Sequence, residues 1–320
     1  MENVIEKSMQ ECRLCPRECG VNRLEGKKGF CKATAELMVA RAALHMWEEP
    51  CISGKEGSGA VFFSGCSLGC VFCQNREISG GKQGKSITVQ QLARIFLKLQ
   101  GQGANNINLV TAGHYLPQTA AALVLAKQKG LTIPVVYNSS GYEKAESLRM
   151  LEGLVDVYLP DFKYMDRELA KKYSFAENYP QTAQAAIAEM VRQTGSPEFD
   201  SRGMIQKGVI VRHLLLPGHV KDSKKVTEYL YRTYGDEIYI SLMNQYTPMP
   251  ALAEDPLLSR KVTKREYERL VEYALSLGLE NGFIQEGETA KESFIPSFDG
   301  EGVTEEGRKE EYGREQREKI

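Results

Sequence analysis

The sequence predicts an α/β fold built on a parallel sheet, on the strength of three observations. From Ala60 onward, short β-branched or apolar runs alternate with longer helical patterns, which is typical of consecutive βα units. The length of 320 residues suffices for one large core and a small additional module. Hydrophobic residues make up 42% and charged residues 26%, values that are ordinary for a globular protein and do not indicate a disordered or fibrous class.

Seven short strands are predicted, with helices between them. The strands cover residues 60–63, 107–111, 133–138, 155–159, 209–216 and 238–243, with a short one near Phe283. Two helices begin with capping-box signals, which are formed by Thr88 with Gln91 and by Thr263 with Glu266. A helical excursion is expected between residues 166 and 206, and weak alternation over residues 36–47 predicts an extra strand ahead of the first βα unit.

Three cysteines lie within eight residues directly after the first of these βα strands. Cys66, Cys70 and Cys73 are separated by three and two residues, and thiolates are soft ligands for iron-sulfur clusters, zinc or copper. A cuboidal cluster normally takes four cysteines, so three ligands leave one iron open for chemistry. Buried structural thiols do not suit a loop flanked by Gly65 and Gly69, and the paired knuckles of a zinc site are absent.

A second cysteine cluster precedes the strands and lies in a Gly-rich segment with little apolar content. Cys12, Cys15, Cys19 and Cys31 are separated by two, three and eleven residues. A small core cannot hold such a segment together, so a bound metal supplies its folding free energy in our interpretation. Zinc and a second iron-sulfur cluster both accept four thiolates, and the spacing does not decide between them.

The chain therefore divides, in our interpretation, into three parts. A Cys-rich metal-binding module covers residues 1–56, the α/β domain covers residues 57–300, and a charged tail without an apolar face covers residues 301–320. The net charge of −1 argues against broad binding to nucleic acid or to an anionic membrane. The absence of a signal-peptide pattern or a membrane-spanning run, together with the two cysteine groups, predicts a cytoplasmic metalloprotein.

Polar residues follow the second and third of the predicted strands, where the active residues of parallel barrels gather. Thr111, Gly113 and His114 come after the second strand, and Asn138 and Ser140 end the third. Small polar groups of this kind can hydrogen-bond a ribose or a carboxylate. The alternatives are ordinary turn residues and, for the histidine, a loop or capping role.

Charged residues mark the next two strands. Asp161 and Lys163 lie two residues apart on the same side of an extended segment. They are expected either to form a salt bridge or to serve as active-site groups. Arg212 and His213 interrupt a strand that is otherwise apolar and buried on both faces, which is costly without a partner. One of these two residues is therefore expected to point into the barrel.

The spacing Cys-x3-Cys-x2-Cys, with Phe72 before the last cysteine, resembles the signature loop of radical S-adenosylmethionine enzymes. The segment Cys-x-x-Cys-Pro-Arg-x-Cys-Gly, followed by Gly-x-x-Gly-x-Cys, resembles a subgroup similar to the pyruvate formate-lyase activating enzyme. The resemblance covers residues 57–298 and implies a partial (β/α)6 barrel. It also implies a four-iron four-sulfur cluster on the three cysteines, S-adenosylmethionine on the open iron, and a reductant such as flavodoxin or ferredoxin.

The resemblance also implies roles for individual residues. In the activating enzymes a Gly-Gly-Glu motif contacts the amino group of S-adenosylmethionine; here that glutamate is absent, so Thr111 with the backbone, or His114, takes its place. Asp161 and Lys163 look like the Asp-x-Lys of those enzymes, which faces the active site. The expected catalytic residues are Asp161, Lys163 and Arg212. The expected cofactor-binding residues are Phe72, Thr111, Gly113, His114, Asn138, Ser140 and His213.

The implied activity is reductive cleavage of S-adenosylmethionine to a 5'-deoxyadenosyl radical that abstracts a hydrogen atom. One target is a backbone glycine of a glycyl radical enzyme, and a small molecule or another protein residue is the alternative. An iron-sulfur electron-transfer or scaffold protein that does not cleave S-adenosylmethionine is the competing class. A zinc hydrolase is disfavoured because the four histidines are scattered along the chain.

Overall fold

A ten-stranded mixed sheet runs through the described part of the computed structural model, which covers residues 2–285 and 296–304. Every strand predicted from the apolar runs is present, and each bound lies within four residues of the expected one. The strands are β1 Leu37–His45, β2 Ser58–Phe63, β3 Lys85–Ile87, β4 Ile107–Val110, β5 Val135–Ser139, β6 Val157–Pro160, β7 Glu198–Phe199, β8 Ile205–Leu214, β9 Tyr239–Met243 and β10 Gly282–Ile284.

Helices occupy most of the connections between the strands. They are α1 Glu2–Gln10, α2 Pro50–Ser53, α3 Arg76–Ser79, α4 Val89–Gly101, α5 Leu116–Gln128, α6 Ala145–Leu148, α7 Arg167–Ser174, α8 Tyr179–Thr194, α9 Val220–Tyr234 and α10 Lys264–Ser276. The capping boxes predicted at Thr88 and Thr263 are both formed, at the first turns of α4 and α10. The excursion after β6 is helical, as expected, and forms α7 and α8.

The order of strands across the sheet is that of an incomplete barrel. Seven strands, β2, β4, β5, β6, β8, β9 and β10, lie side by side in chain order, and each pairs in parallel with the next. A doubly wound sheet reverses its strand order at a switch point, and this sheet does not. Within the described residues β10 and β3 stay apart at the two ends, so the ring is open. The prediction of an α/β partial barrel is confirmed.

Strand β1 joins the cysteine-rich segment to the barrel. It pairs antiparallel with β2 along six residues and with β3 on its other side, so residues 37–45 belong to the main sheet. Residues 301–304 pack against this strand: the N–H of Ala42 donates to the Glu301 carbonyl, and Val303 is buried. Residues 305–320 of the predicted tail lie outside the described residues. No helix in residues 2–285 or 296–304 is long and apolar enough to span a bilayer.

Two glycines adopt the same left-handed backbone conformation but differ in how closely the surrounding chain packs on them. Gly141 and Gly153 both have φ +73°, but a Cβ on Gly141 would lie 2.2 Å from the Asp161 carbonyl oxygen, whereas nothing lies within 4 Å at Gly153. We expect Gly153→Ala to cost about 1–2 kcal/mol for the backbone conformation alone. Gly141→Ala should cost about 1–3 kcal/mol more because the strand ends must separate. Urea unfolding of both variants measures the difference, and equal losses would contradict the packing described.

Candidate functional site

A cavity of about 470 Å³ opens at the carboxyl edge of the parallel strands. The volume lies within the usual range for ligand sites, and the edge is where parallel barrels carry their active residues. All seven parallel strands contribute lining residues near their carboxyl ends: Phe62, Val110, Asn138, Asp161, Leu214, Met243 and Ile284. Asn138, Asp161 and Arg212 place polar side chains in this cavity, and the remaining strand ends contribute apolar surface.

The three-cysteine loop forms one wall of the cavity. Cys66, Cys70 and Cys73 all line it, and the glycines at 65 and 69 both adopt positive φ that other residues rarely take. The Ser174 hydroxyl donates a hydrogen bond to the Cys70 sulfur, over a distance of 3.0 Å. Burial raises the pKa of each of the three thiols, and that of Cys73 to about 12, so they are protonated until a metal binds.

The donor set fits a cluster with one open iron. Three soft sulfurs face one cavity, and the charge of Lys163 lowers the pKa of all three thiols against the effect of burial. No group of three or more His, Cys, Asp or Glu side chains is already gathered as a metal site among the residues described.

Arg212 is at the centre of a largely buried ion network that lines the cavity beside the cysteine loop. Its guanidinium donates to Asp161 Oδ1 at 3.0 Å, to Glu48 Oε2 at 3.1 Å and to Asn138 Oδ1 at 2.6 Å. Lys163 Nζ lies 2.6 Å from Asp161 Oδ2. Burial alone would raise the pKa of Asp161, but Lys163 and Arg212 outweigh it and hold that pKa below its usual value.

The predicted salt bridge and the predicted site are therefore the same group of side chains. Asp161, Lys163 and Arg212 pair with one another and also line the cavity beside the cysteine loop. Two cations and two carboxylates, the second from Glu48, balance in charge there. A buried pair contributes little to stability on balance, so this network mainly makes the centre of the cavity polar.

Four of the seven predicted cofactor-binding residues also line the cavity: Phe72, Thr111, Asn138 and Ser140. The Phe72 ring packs edge-on against Tyr164 and Tyr246, with centroids 6.4 and 6.2 Å away. Thr111 has φ +61°, a left-handed conformation that is strained for a β-branched residue. Such strain is characteristic of functional sites.

The structure does not bring Gly113, His114 or His213 to this cavity. His114 is buried beneath the cysteine loop, with Nε2 2.7 Å from the Ser64 carbonyl oxygen, and Gly113 faces Tyr137. His213 lies on the other face of β8 because neighbouring strand residues alternate, and its Nδ1 is 2.7 Å from a carbonyl oxygen. Burial lowers the pKa of His114 to about 3 and that of His213 to about 4, so both rings are neutral.

Two acidic residues that the sequence did not predict for the site, Glu48 and Glu49, enter the cavity from the loop after β1. Glu48 Oε1 accepts hydrogen bonds from the side-chain amides of Asn108 and Asn138. Glu49 is buried, and its Oε2 has no hydrogen-bond partner among the residues described. The only sequence signal was an acidic pair directly after a weakly predicted strand that lies outside the βα units.

The buried carboxyl group of Glu143 makes the free energy of unfolding depend on pH. It is buried behind Ser139, whose hydroxyl donates to it at 3.0 Å, and burial raises its pKa from 4.5 to about 8. Between these values the folded chain holds a proton that the unfolded chain has lost, so stability falls as pH rises from about 5 to 8. We expect Glu143→Gln to reduce this fall by a few kcal/mol, while the exposed Glu146→Gln leaves it unchanged. Urea unfolding at several pH values measures the slope, and the same slope in all three proteins would contradict the assignment.

Comparisons with known proteins agree with the geometry. The model of the radical SAM superfamily matches residues 60–229. The uncharacterized protein MJ0674 of Methanocaldococcus jannaschii is 30% identical over 285 residues, which is 87% of this chain and 78% of that protein.

Two solved structures are also similar. A domain of pyruvate-formate lyase-activating enzyme from Bacteroides vulgatus ATCC 8482 has a TM-score of 0.38 and 14% identity, over 54% of this chain and 92% of that one. Streptococcus suis SuiB bound to S-adenosylmethionine has a TM-score of 0.48 and 12% identity, over 73% of this chain and 51% of that one.

Proposed function

The chain belongs to the radical SAM superfamily, and from that premise we propose that its central cavity holds a four-iron four-sulfur cluster on Cys66, Cys70 and Cys73 with S-adenosylmethionine beside it. The observation that supports this most strongly is that the three thiols share one cavity with a network of buried charges. When bound and reduced, this pair supplies a 5'-deoxyadenosyl radical that abstracts a hydrogen atom from the substrate, with methionine as the other product.

The ion network suits the polar end of S-adenosylmethionine. Arg212 and Lys163 present two cations to the cavity, and guanidinium and ammonium groups both bind carboxylates strongly when water is excluded. Asp161 holds both cations in place through its two oxygens. Asn138 and Ser140 offer the small polar groups that bind a ribose hydroxyl. In this proposal Thr111 contacts the amino group of S-adenosylmethionine, which a glutamate contacts in the activating enzymes.

Lys163 and Phe72 serve the cluster side of the cavity. Thiolates must replace thiols before a cluster can bind, and the positive charge of Lys163 favours that change at all three cysteines. The Phe72 ring lines the cavity and packs on two tyrosines. In this proposal its apolar surface keeps water from the cluster.

The substrate is a backbone glycine of a partner protein in our proposal, as in activation of a glycyl radical enzyme. A cavity of about 470 Å³ accommodates about one cofactor-sized ligand, so the substrate must react at the mouth. Trp47 and Ile284 line that mouth and are 59% and 42% exposed, which suits an apolar protein contact. The resemblance of Asp161 and Lys163 to the Asp-x-Lys of activating enzymes supports the same target. Flavodoxin or ferredoxin would supply the electron.

The test is anaerobic turnover of reconstituted protein with dithionite and S-adenosylmethionine, with 5'-deoxyadenosine and methionine quantified. We expect wild type and Cys51→Ala, which changes a buried thiol outside the loop, to form both products in equal amounts. Cys70→Ala should form neither, because the cluster loses a ligand. A fully loaded, reducible wild-type cluster that neither binds nor cleaves S-adenosylmethionine would instead support an electron-transfer or scaffold protein.

Isotope transfer tests the substrate class. Short peptides containing glycine deuterated at its α-carbon are added to the same reaction. Deuterium in the 5'-deoxyadenosine formed would support a glycyl target. Products without deuterium, together with transfer from a deuterated small molecule, would contradict it.

A further inference from the structure

Four thiols that the proposed reaction does not use converge on a second, much smaller cavity. Cys12, Cys15, Cys19 and Cys31 all line a space of about 10 Å³ in the N-terminal segment. The four come from one irregular stretch of chain, and all are free cysteines. The apolar cluster next to them contains Met9, Cys12 and Leu14, which is too small to order the segment alone.

A backbone N–H at this cavity points at one of the sulfurs. The N–H of Phe30 donates to Cys19 Sγ at 3.4 Å. Hydrogen bonds from neighbouring groups orient the side chains that bind metals. This contact therefore holds the Cys19 sulfur at the cavity.

A buried cation lies beside the same sulfurs. Arg23 is 1% exposed, and its guanidinium donates to the carbonyl oxygens of Thr34 and His114 and lies 3.8 Å from Cys12 Sγ. None of its hydrogen bonds within the part of the chain described goes to a carboxylate. A buried charge without an opposite charge is costly, so thiolates at this cavity would provide the missing negative charge.

We propose that Cys12, Cys15, Cys19 and Cys31 hold one structural zinc ion. Four cysteine thiolates around a single ion form a common tetrahedral zinc site. A space of about 10 Å³ is roughly that of one water-sized sphere, which matches a single ion more closely than a cuboidal cluster. The ion draws the sulfurs in and supplies the folding free energy that the small apolar cluster lacks.

The zinc site also positions the loop of Cys66, Cys70 and Cys73, a step that rests on the proposed function. Arg17 lies between two of the zinc ligands, and its guanidinium donates to the carbonyl oxygens of Ser67 and Leu68 in that loop at 3.0 and 3.1 Å. It also donates to the carbonyl oxygens of Ser174 and Phe175, at the end of α7. Zinc fixes the chain on both sides of Arg17, and Arg17 fixes the loop.

An aromatic contact reinforces this link. The Arg17 guanidinium lies 3.8 Å from the centroid of the Phe30 ring, beside the ligand Cys31. The same ring packs on Gly69 so closely that a Cβ there would lie 2.9 Å from it. Arg17 is therefore a positioning residue, because it contacts the cluster loop and does not line the cavity of about 470 Å³.

Metal and sulfide analysis of Cys66→Ala/Cys70→Ala/Cys73→Ala protein tests the zinc site without the radical chemistry. The triple variant, purified anaerobically from medium containing iron and zinc, should contain one zinc per chain and no sulfide. Adding Cys15→Ser and Cys31→Ser should abolish the zinc, whereas adding Cys51→Ala should not. Iron with sulfide in the triple variant, absence of zinc from it, or zinc retained after the serine changes would overturn the proposal. The triple variant decides the question even if the serine variant is insoluble.

The positioning role is tested on the reconstituted holoenzyme with Arg17→Ala. Arg13→Ala is the matched control, since Arg13 lies in the same segment and its side chain is 60% exposed and pairs only with Glu11 among the described residues. We expect both variants to keep their zinc. Arg17→Ala should change the electron paramagnetic resonance spectrum of the reduced cluster and weaken S-adenosylmethionine binding at least tenfold, with partial recovery in Arg17→Lys. A spectrum and an affinity equal to those of Arg13→Ala would overturn the positioning role and leave the zinc result unaffected.

Discussion

The buried ion network of Arg212 with Glu48, Asp161 and Lys163 is the constraint around which the cavity is built. Burying four charges is expensive, and a hydrophobic replacement is often at least as stable, so the fold gains little from the network. It links the loop after β1 to the ends of β6 and β8, and through Asn138 to the end of β5. The result is a fixed set of charges at the edge of the sheet where the cysteine loop also ends.

The cysteine loop is held from its other side by the N-terminal segment. Arg17 donates to carbonyl oxygens in the loop and at the end of α7, and Phe30 packs on Gly69. The segment is thus coupled to the loop through contacts that do not line the central cavity. A metal in the segment would act on the reaction only through the position of the loop.

Patterns local in sequence predicted most of the fold and many of the residues that line the cavity. Apolar runs and capping boxes are set by neighbouring residues, so the strands and the starts of α4 and α10 were predictable. Arg212 and His213 show the limit: alternation requires that they face opposite ways, but which one enters the cavity depends on how β8 lies in the sheet. The entry of Glu48 depends on pairing between β1 and β2, a long-range contact with no local signature.

The most direct test of the central claim is the magnetic coupling between the reduced cluster and S-adenosylmethionine labelled with ¹⁵N in its amino group and ¹⁷O in its carboxylate. In our proposal the amino and carboxylate groups of S-adenosylmethionine both bind the iron that three cysteine ligands leave open. We therefore expect hyperfine coupling of both nuclei to the cluster in electron-nuclear double resonance. Labelled S-adenosylmethionine that binds without coupling of either nucleus would show that the open iron is not its site, and would contradict the account.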